Sequence, residues 1–311
     1  MNNTLENSTI IHIESWFIPL DIIIIIIAAL SIILGIIFLL IAATHRTCWT
    51  VPMLLSCDSC LEEITFSSIL LLMATFSIQH DLQANIGDAS YCKILGMISY
   101  AGATGQNYSF LLMALYRYIR VVYPTRLYWQ SMRCQLSLVI VKWIFSFGVG
   151  LSMYLTDQIV YNINNQICQI PLSLSAIMIY ETIILYMIPN AGIFGIYMQL
   201  TCYIRRISAR TTVANNLFHA RRELRLIQRT IVLSCTLITL GIPYITFMLI
   251  SFVTTPPKYH FRIALVGIQI AVLIIIIMMY SFTQPIKNFI RKPTTISIAV
   301  LPRRYITTTF S

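Results

Sequence analysis

The groupings that catalysis would need are missing from this chain. It has no His-Glu-x-x-His pair to hold a metal, no glycine-rich phosphate loop and no nucleophile elbow. His12, His45, His80, His219 and His260 are scattered through what read as tails and loops, the setting of solvated histidines. No cofactor or metal is implied, and an enzyme is not expected. What remains is a small set of charged residues in apolar surroundings: Asp58, Glu62, Glu63, Arg117, Lys142 and Glu181, with Glu223 alone among seven arginines. A charge in hydrocarbon is costly unless paired or wet, which makes Arg117 a functional candidate by default and Glu181 the acid of most interest. An arginine and an acid on neighbouring helices could form a releasable lock. An acid facing a cavity would favour a cationic group on a ligand. The bland alternatives are a juxtamembrane anchor for Arg117, a helical contact with Arg222 for Glu223, and a pair with Lys258 or Arg262 for Glu181.

The elements that position these residues are apolar. Of 311 residues, 58% are hydrophobic and 10% charged, a balance foreign to soluble domains. Apolar runs such as 18–43 and 263–282 reach the roughly 20 residues that cross a bilayer core. Windows between polar breaks predict seven transmembrane helices, at 17–43, 52–78, 92–122, 135–156, 173–203, 227–253 and 263–286. Lys142 lies inside the fourth, where it is expected to snorkel toward an interface. The fold class expected is an all-α seven-helix membrane bundle. It divides into a tail at 1–16, a seven-helix domain at 17–289 and a second tail at 290–311.

Charge orients the bundle. With the N-terminus outside, 18 of the 21 Lys and Arg residues fall on the inner side, leaving only Lys93, Lys258 and Arg262 outside. The net charge of +10 then faces anionic inner-leaflet lipid and cytosolic partners, and requires no nucleic acid. The first tail has no Lys or Arg and holds two glycosylation sequons, at Asn2 and Asn7. No basic n-region or small-residue cleavage site precedes the first span, which is expected to insert uncleaved. Of eight cysteines only Cys92 and Cys168 lie at the outer side, so they are the one expected disulfide. Leu224, Ile227 and Ile231 recur at helical spacing with arginines between them, which extends the sixth helix below the membrane as a solvated end or a partner surface.

At this point the sequence resembles the rhodopsin-like family of G-protein-coupled receptors, over nearly its whole length. Tyr116-Arg117-Tyr118 resembles that family's Asp-Arg-Tyr motif, followed by Pro124, and Arg117 stands 25 residues after Cys92. The usual acid before the arginine is Tyr116 here, whereas Glu223, 20 residues before Pro243, lies where members often place an acid that pairs with that arginine. Trp143, Pro189 with Tyr197 eight residues on, and Pro243 match family positions, the prolines serving as helix hinges. Gln284-Pro285 stands in for Asn-Pro, with Asn288 replacing the tyrosine. The tryptophan before Pro243 and the asparagine after Gly35 are absent, and Glu62 and Glu63 give no clean match to the sodium-site aspartate. No cysteine follows Cys235, so tail palmitoylation is not expected.

The resemblance implies a plasma-membrane receptor that passes binding of an extracellular small molecule or short peptide to a heterotrimeric G protein by movement of helix six. Its pocket would draw on Ser99, Ala103, Tyr180, Glu181, Tyr244 and Phe247. Ser99 stands where amine receptors carry an aspartate, and the seventh span has no core lysine for retinal, since Lys287 lies beyond Pro285. The altered motifs keep open a receptor-like protein that does not signal. A transporter or channel is a third reading, and would need more polar residues along the spans. If the first tail is outside, glycosidase treatment of protein from eukaryotic cells will sharpen its gel mobility, and the Asn2→Gln/Asn7→Gln variant will not respond.

Overall fold

The computed structural model describes residues 17–44, 50–83, 89–162, 165–171, 175–210, 231–232, 235–236, 238–239, 242–251, 253–254 and 260–282. The expectations for Asn2, Asn7, Glu223, Gln284 and Pro285 lie outside these residues. The described chain is almost entirely helical: α1 (Phe17–Thr44), α2 (Val51–Gln83), α3 (Ala89–Val122), a short α4 (Leu127–Gln130), α5 (Met132–Leu155), α6 (Ala176–Glu181), a π-helical turn (Thr182–Met187), α7 (Ile188–Arg210), α8 (Ile242–Ser251) and α9 (His260–Phe282). Between α5 and α6 lies a small antiparallel hairpin of β1 (Val160–Asn162) and β2 (Ile167–Gln169), with Tyr161 opposite Cys168.

Among the described residues, five helical stretches are long and apolar enough to cross a membrane: Phe17–Thr44, Val51–Leu82, Met132–Leu155, Ala176–Arg206 and His260–Ser281. α3 is as long as any of them, but Ser99, Thr104, Gln106, Asn107 and Ser109 make it too polar to count. Those side chains are buried, because α3 runs through the middle of the bundle against α2, α5, α7 and the hairpin. α1 packs on α2 and α9, and α8 on α9. Isoleucines on the outer faces of α1 and α5, Ile26 and Ile144 among them, remain exposed, as lipid contact permits.

Backbone polar groups cannot be left bare in hydrocarbon. The Ala176–Arg206 stretch, the fifth span of the sequence expectation, shows how one defect is repaired. In its π-helical turn carbonyl i receives N–H i+5, as the Ile188 N–H does in donating to the Ile183 carbonyl. The next bond in that register would reach Ile184 from residue 189, and Pro189 has no N–H. The Tyr108 hydroxyl of α3 donates to the Ile184 carbonyl instead, at 3.2 Å. The proline that loosens one helix thereby ties it to its neighbour.

One end of the bundle is closed by the hairpin. The Cys92–Cys168 disulfide joins β2 to the first turns of α3 with Cα atoms 5.5 Å apart. The Tyr100 hydroxyl donates to Gln169 at 2.7 Å and accepts from the Ile170 N–H. Arg262, expected in an outer loop, is fully buried in the first turn of α9. Its guanidinium donates to Asp21 of α1 at 2.9 Å and to the Asn165 carbonyl of the hairpin turn, lies 2.7 Å from Asp81 of α2, and stacks 4.4 Å over Phe17. It is therefore not a partner of Glu181. Its five-donor fork can knit three helix ends and a loop where a lysine would serve one. His260 beside it is buried too, 4.2 Å from the Phe261 ring, against the expectation of a solvated histidine.

Replacing Tyr108 by Phe is expected to lower stability by about 1 kcal/mol, the net value of one hydrogen bond. In a Pro189→Ala background, which restores the missing N–H, the same replacement should cost much less, a difference read from a double-mutant cycle of thermal unfolding in nanodiscs.

Candidate functional site

Two groups of polar side chains meet inside the bundle. The first is a charge cluster. Asp58 and Glu62 lie four residues apart on one face of α2, and Lys142 reaches them from α5. The Lys142 ammonium donates to both Asp58 oxygens at 2.8 and 2.9 Å, to Glu62 Oε1 at 2.8 Å and to Ser109 Oγ of α3 at 2.8 Å. Ser109 in turn donates to Asp58 at 3.0 Å, and the Trp143 indole N–H donates to Asp58 at 2.9 Å. One helical step on, Glu63 accepts from Gln106 of α3 at 2.6 Å. Gly105 makes room for this: a Cβ there would overlap the Glu62 carboxylate.

Lys142 does not snorkel. It lies ten residues into α5, about 15 Å along the axis and so about halfway through a hydrocarbon core. That depth is beyond the reach of its four-carbon stem to either interface, and pairing is the remaining way to carry the charge. Asp21 and Asp81 likewise add to the acids expected within spans, both taken up by Arg262.

The second group lines a cavity of about 400 Å³ between α2, α3, the Ala176–Arg206 stretch, α9, Ile238, and Ile245 of α8. Its wall is mainly apolar, with Phe66, Ala103, Ile245, Ile268 and Ala271, and its polar members are Gln106, Asn107, Glu181, Thr182, Tyr186 and Asn190. Ala103, Glu181 and Phe66 also border a narrower space of about 40 Å³ that extends to Ser99, Gln169 of the hairpin and Phe261. Glu181 thus stands where the two spaces meet. It is 3% exposed, and its Oε2 has no hydrogen-bond partner.

Three of the residues expected to form the pocket line these spaces: Ser99, Ala103 and Glu181. Tyr180 does not; it is exposed on the outer face of α6. Phe247 is half-buried 6.0 Å from the His260 ring, outside both linings, and the Tyr244 side chain is not among those described. Gln106, Asn107 and Asn190 were missed in the sequence reading. Gln106-Asn107 is nevertheless a polar pair in the middle of an otherwise apolar helix, and that signal was legible.

At the end of the bundle away from the hairpin, Tyr116 is buried in the core and Arg117 is half-buried beside it. Tyr118 packs edge-on to Tyr123 with ring centroids 6.2 Å apart. Tyr197 of α7 packs on the cluster of Leu200 and Ile204, on which Val121 and Val122, the last residues of α3, also pack. The structure therefore brings Tyr197 to the same end of α3 as Arg117. Pro189 is the second residue of α7, directly after the π-helical turn, and Pro243 is the second residue of α8.

This arrangement, a long polar helix threaded through apolar ones and bridged to a loop hairpin, agrees with the family whose model matches the chain. That family is the 7 transmembrane receptor (rhodopsin family), matched over residues 35–288. The chain belongs to the rhodopsin family of seven-transmembrane receptors. No curated protein matches it. Members of the family are membrane receptors rather than enzymes, and the match spans both the charge cluster and the cavity of this receptor. In it Lys142 carries α2, α3 and α5 on one ammonium.

Lys142→Met should therefore destabilise the receptor by about 3–5 kcal/mol, because it strands two buried carboxylates. Replacing Asp58 by Asn and Glu62 by Gln in that background should recover most of the loss, as thermal unfolding in nanodiscs would show.

Proposed function

We propose that the protein is a plasma-membrane G-protein-coupled receptor with seven spans, its N-terminus outside, that binds a small extracellular ligand in the cavity beside Glu181 and engages a heterotrimeric G protein at the Arg117 end. What supports this reading is that one continuous helix, α3, runs from the middle of the bundle, where it borders the cavity, to the end that carries Arg117. Ala103 and Asn107 of α3 line the cavity, and Arg117 follows ten residues after Asn107. Membership of a receptor family supplies the expectation that the two ends communicate.

The fifth span gives the mechanical reason. Glu181 is the residue before the π-helical turn, Pro189 the second residue after it, and Tyr197, two turns further on, packs on the same Leu200 and Ile204 cluster as the end of α3. A ligand that pulls on Glu181 acts on a segment whose hydrogen bonding is already loosened, so the turn can relax toward regular helix and rotate Tyr197. Movement of the sixth helix about Pro243 and release of Arg117 from Glu223 would complete the switch. The seven-span count, the orientation by inner-side cations and the domain bounds of 17–289 are parts of the same proposal.

Nucleotide exchange on a panel of Gα subunits tests it without a known ligand. Wild-type protein should raise exchange on at least one subunit, Glu223→Ala should raise it several-fold further, and Arg117→Ala should return it to background. Background exchange from all three well-folded proteins would overturn the coupling proposal.

A further inference from the structure

Inside the spans the structure holds five described carboxylates beyond Glu63, and four of them meet a cation: Asp58 and Glu62 at Lys142, Asp21 and Asp81 at Arg262. Glu63 has the amide of Gln106. Glu62, Glu63 and Asp81 each leave one oxygen without a hydrogen bond but keep a cation or amide partner on the group, whereas Glu181, equally buried and with Oε2 unbonded, meets none of these cations and no amide donor. It also differs in bordering the large cavity. No Lys, Arg or His lines that cavity among the described residues. Its amides are turned away: Asn107 donates to the Ala103 carbonyl of its own helix, Asn190 to the Tyr186 carbonyl and Gln106 to Glu63, while the Thr182 hydroxyl donates to the Met178 carbonyl. The wall thus has one charged group, an acid, set in a mainly apolar surface that also carries the Tyr186 phenol.

We infer that this cavity is a site for a small organic cation, a protonated amine on an apolar body, with the ammonium seated on Glu181 and the body against Phe66, Ile245, Ile268 and Ala271. A volume near 400 Å³ suits a ligand of drug-like size, at the lower end of the usual range for such pockets, and is too small for more than the tip of a peptide. A carboxylate in low dielectric gains most from a ligand that brings the opposite charge, and a neutral ligand of the same shape leaves it unpaired. The acid stands on the fifth span; Ser99, at the third-span position where an aspartate would mark amine binding, is buried with its hydroxyl donated to the Gly96 carbonyl. Cation recognition is therefore moved across the cavity rather than absent.

The inference rests on the proposed ligand cavity but not on G-protein coupling, and its test separates the two. Purified receptor in nanodiscs is titrated with phenethylamine, tryptamine and their N-methyl derivatives, and with the corresponding alcohols as neutral isosteres, following thermal stability and heats of binding without any G protein. At least one amine is expected to stabilise the wild type, its alcohol to bind about ten- to a hundredfold more weakly, and Glu181→Gln to lose that preference. Lys93→Ala, at an exposed ion pair with Asp157, serves as a control that keeps it. Equal binding of amine and alcohol, unchanged amine binding in Glu181→Gln, or no response of the wild type to any amine would each overturn the inference. Amine binding that depends on Glu181 in a receptor with no nucleotide exchange would uphold the site and remove the coupling proposal alone.

Discussion

Water is absent from the middle of a bilayer, so every charge carried there must bring its partner or be held at a cost of several kcal/mol. The bundle is organised around that constraint. Lys142 satisfies it deep in the core by giving its three N–H groups to Asp58, Glu62 and Ser109, and in doing so it fixes α2, α3 and α5 relative to one another. Arg262 satisfies it at the hairpin end, with Asp21 and Asp81 drawing α1, α2 and α9 together under the Asn165 carbonyl. Buried ion pairs are poor sources of net stability, but they are unforgiving of misplacement, and two such nodes leave little freedom in how these helices can sit.

The same constraint acts on the backbone. Serine and threonine hydroxyls along the spans donate back to the carbonyl four residues earlier, as Ser31 does to Ile27 and Thr104 to Tyr100. Where Pro189 removes a donor from a π-helical turn, α3 supplies one through Tyr108. The result is a fifth span with regular α-helix on either side of a π-helical turn, and that turn borders the cavity. Glu181, at the start of that segment, is the exception to the rule that Lys142 and Arg262 obey. A group left uncompensated in a structure that compensates its other buried charges is more economically read as a binding element than as a packing accident.

Much of this was legible in the residues themselves. Apolar runs of bilayer length pointed to a membrane protein, the pair Cys92 and Cys168 to its disulfide, and the landmarks around Arg117, Pro189 and Pro243 to the receptor family by resemblance. The charge cluster was not legible, because nothing along the chain says that Lys142 faces residues 80 and 84 positions away rather than a lipid headgroup. Arg262 was misplaced for the same reason: an arginine next to a loop looks identical whether it points to solvent or back under a hairpin. Tyr180 shows the limit of spacing arguments on the fifth span. The π-helical turn that follows it changes the helical period, and the neighbour of Glu181 ends on the outer face.

The contrast between compensated and uncompensated carboxylates can be measured without any ligand or partner. Thermal unfolding of Glu62→Leu and Glu181→Leu, each in nanodiscs beside the wild type, compares the removal of an acid that holds Lys142 with the removal of one that holds nothing. Glu62→Leu is expected to lower the unfolding temperature and Glu181→Leu to raise it. A fall in both would contradict the view that Glu181 is kept at a cost to stability for the sake of what it binds.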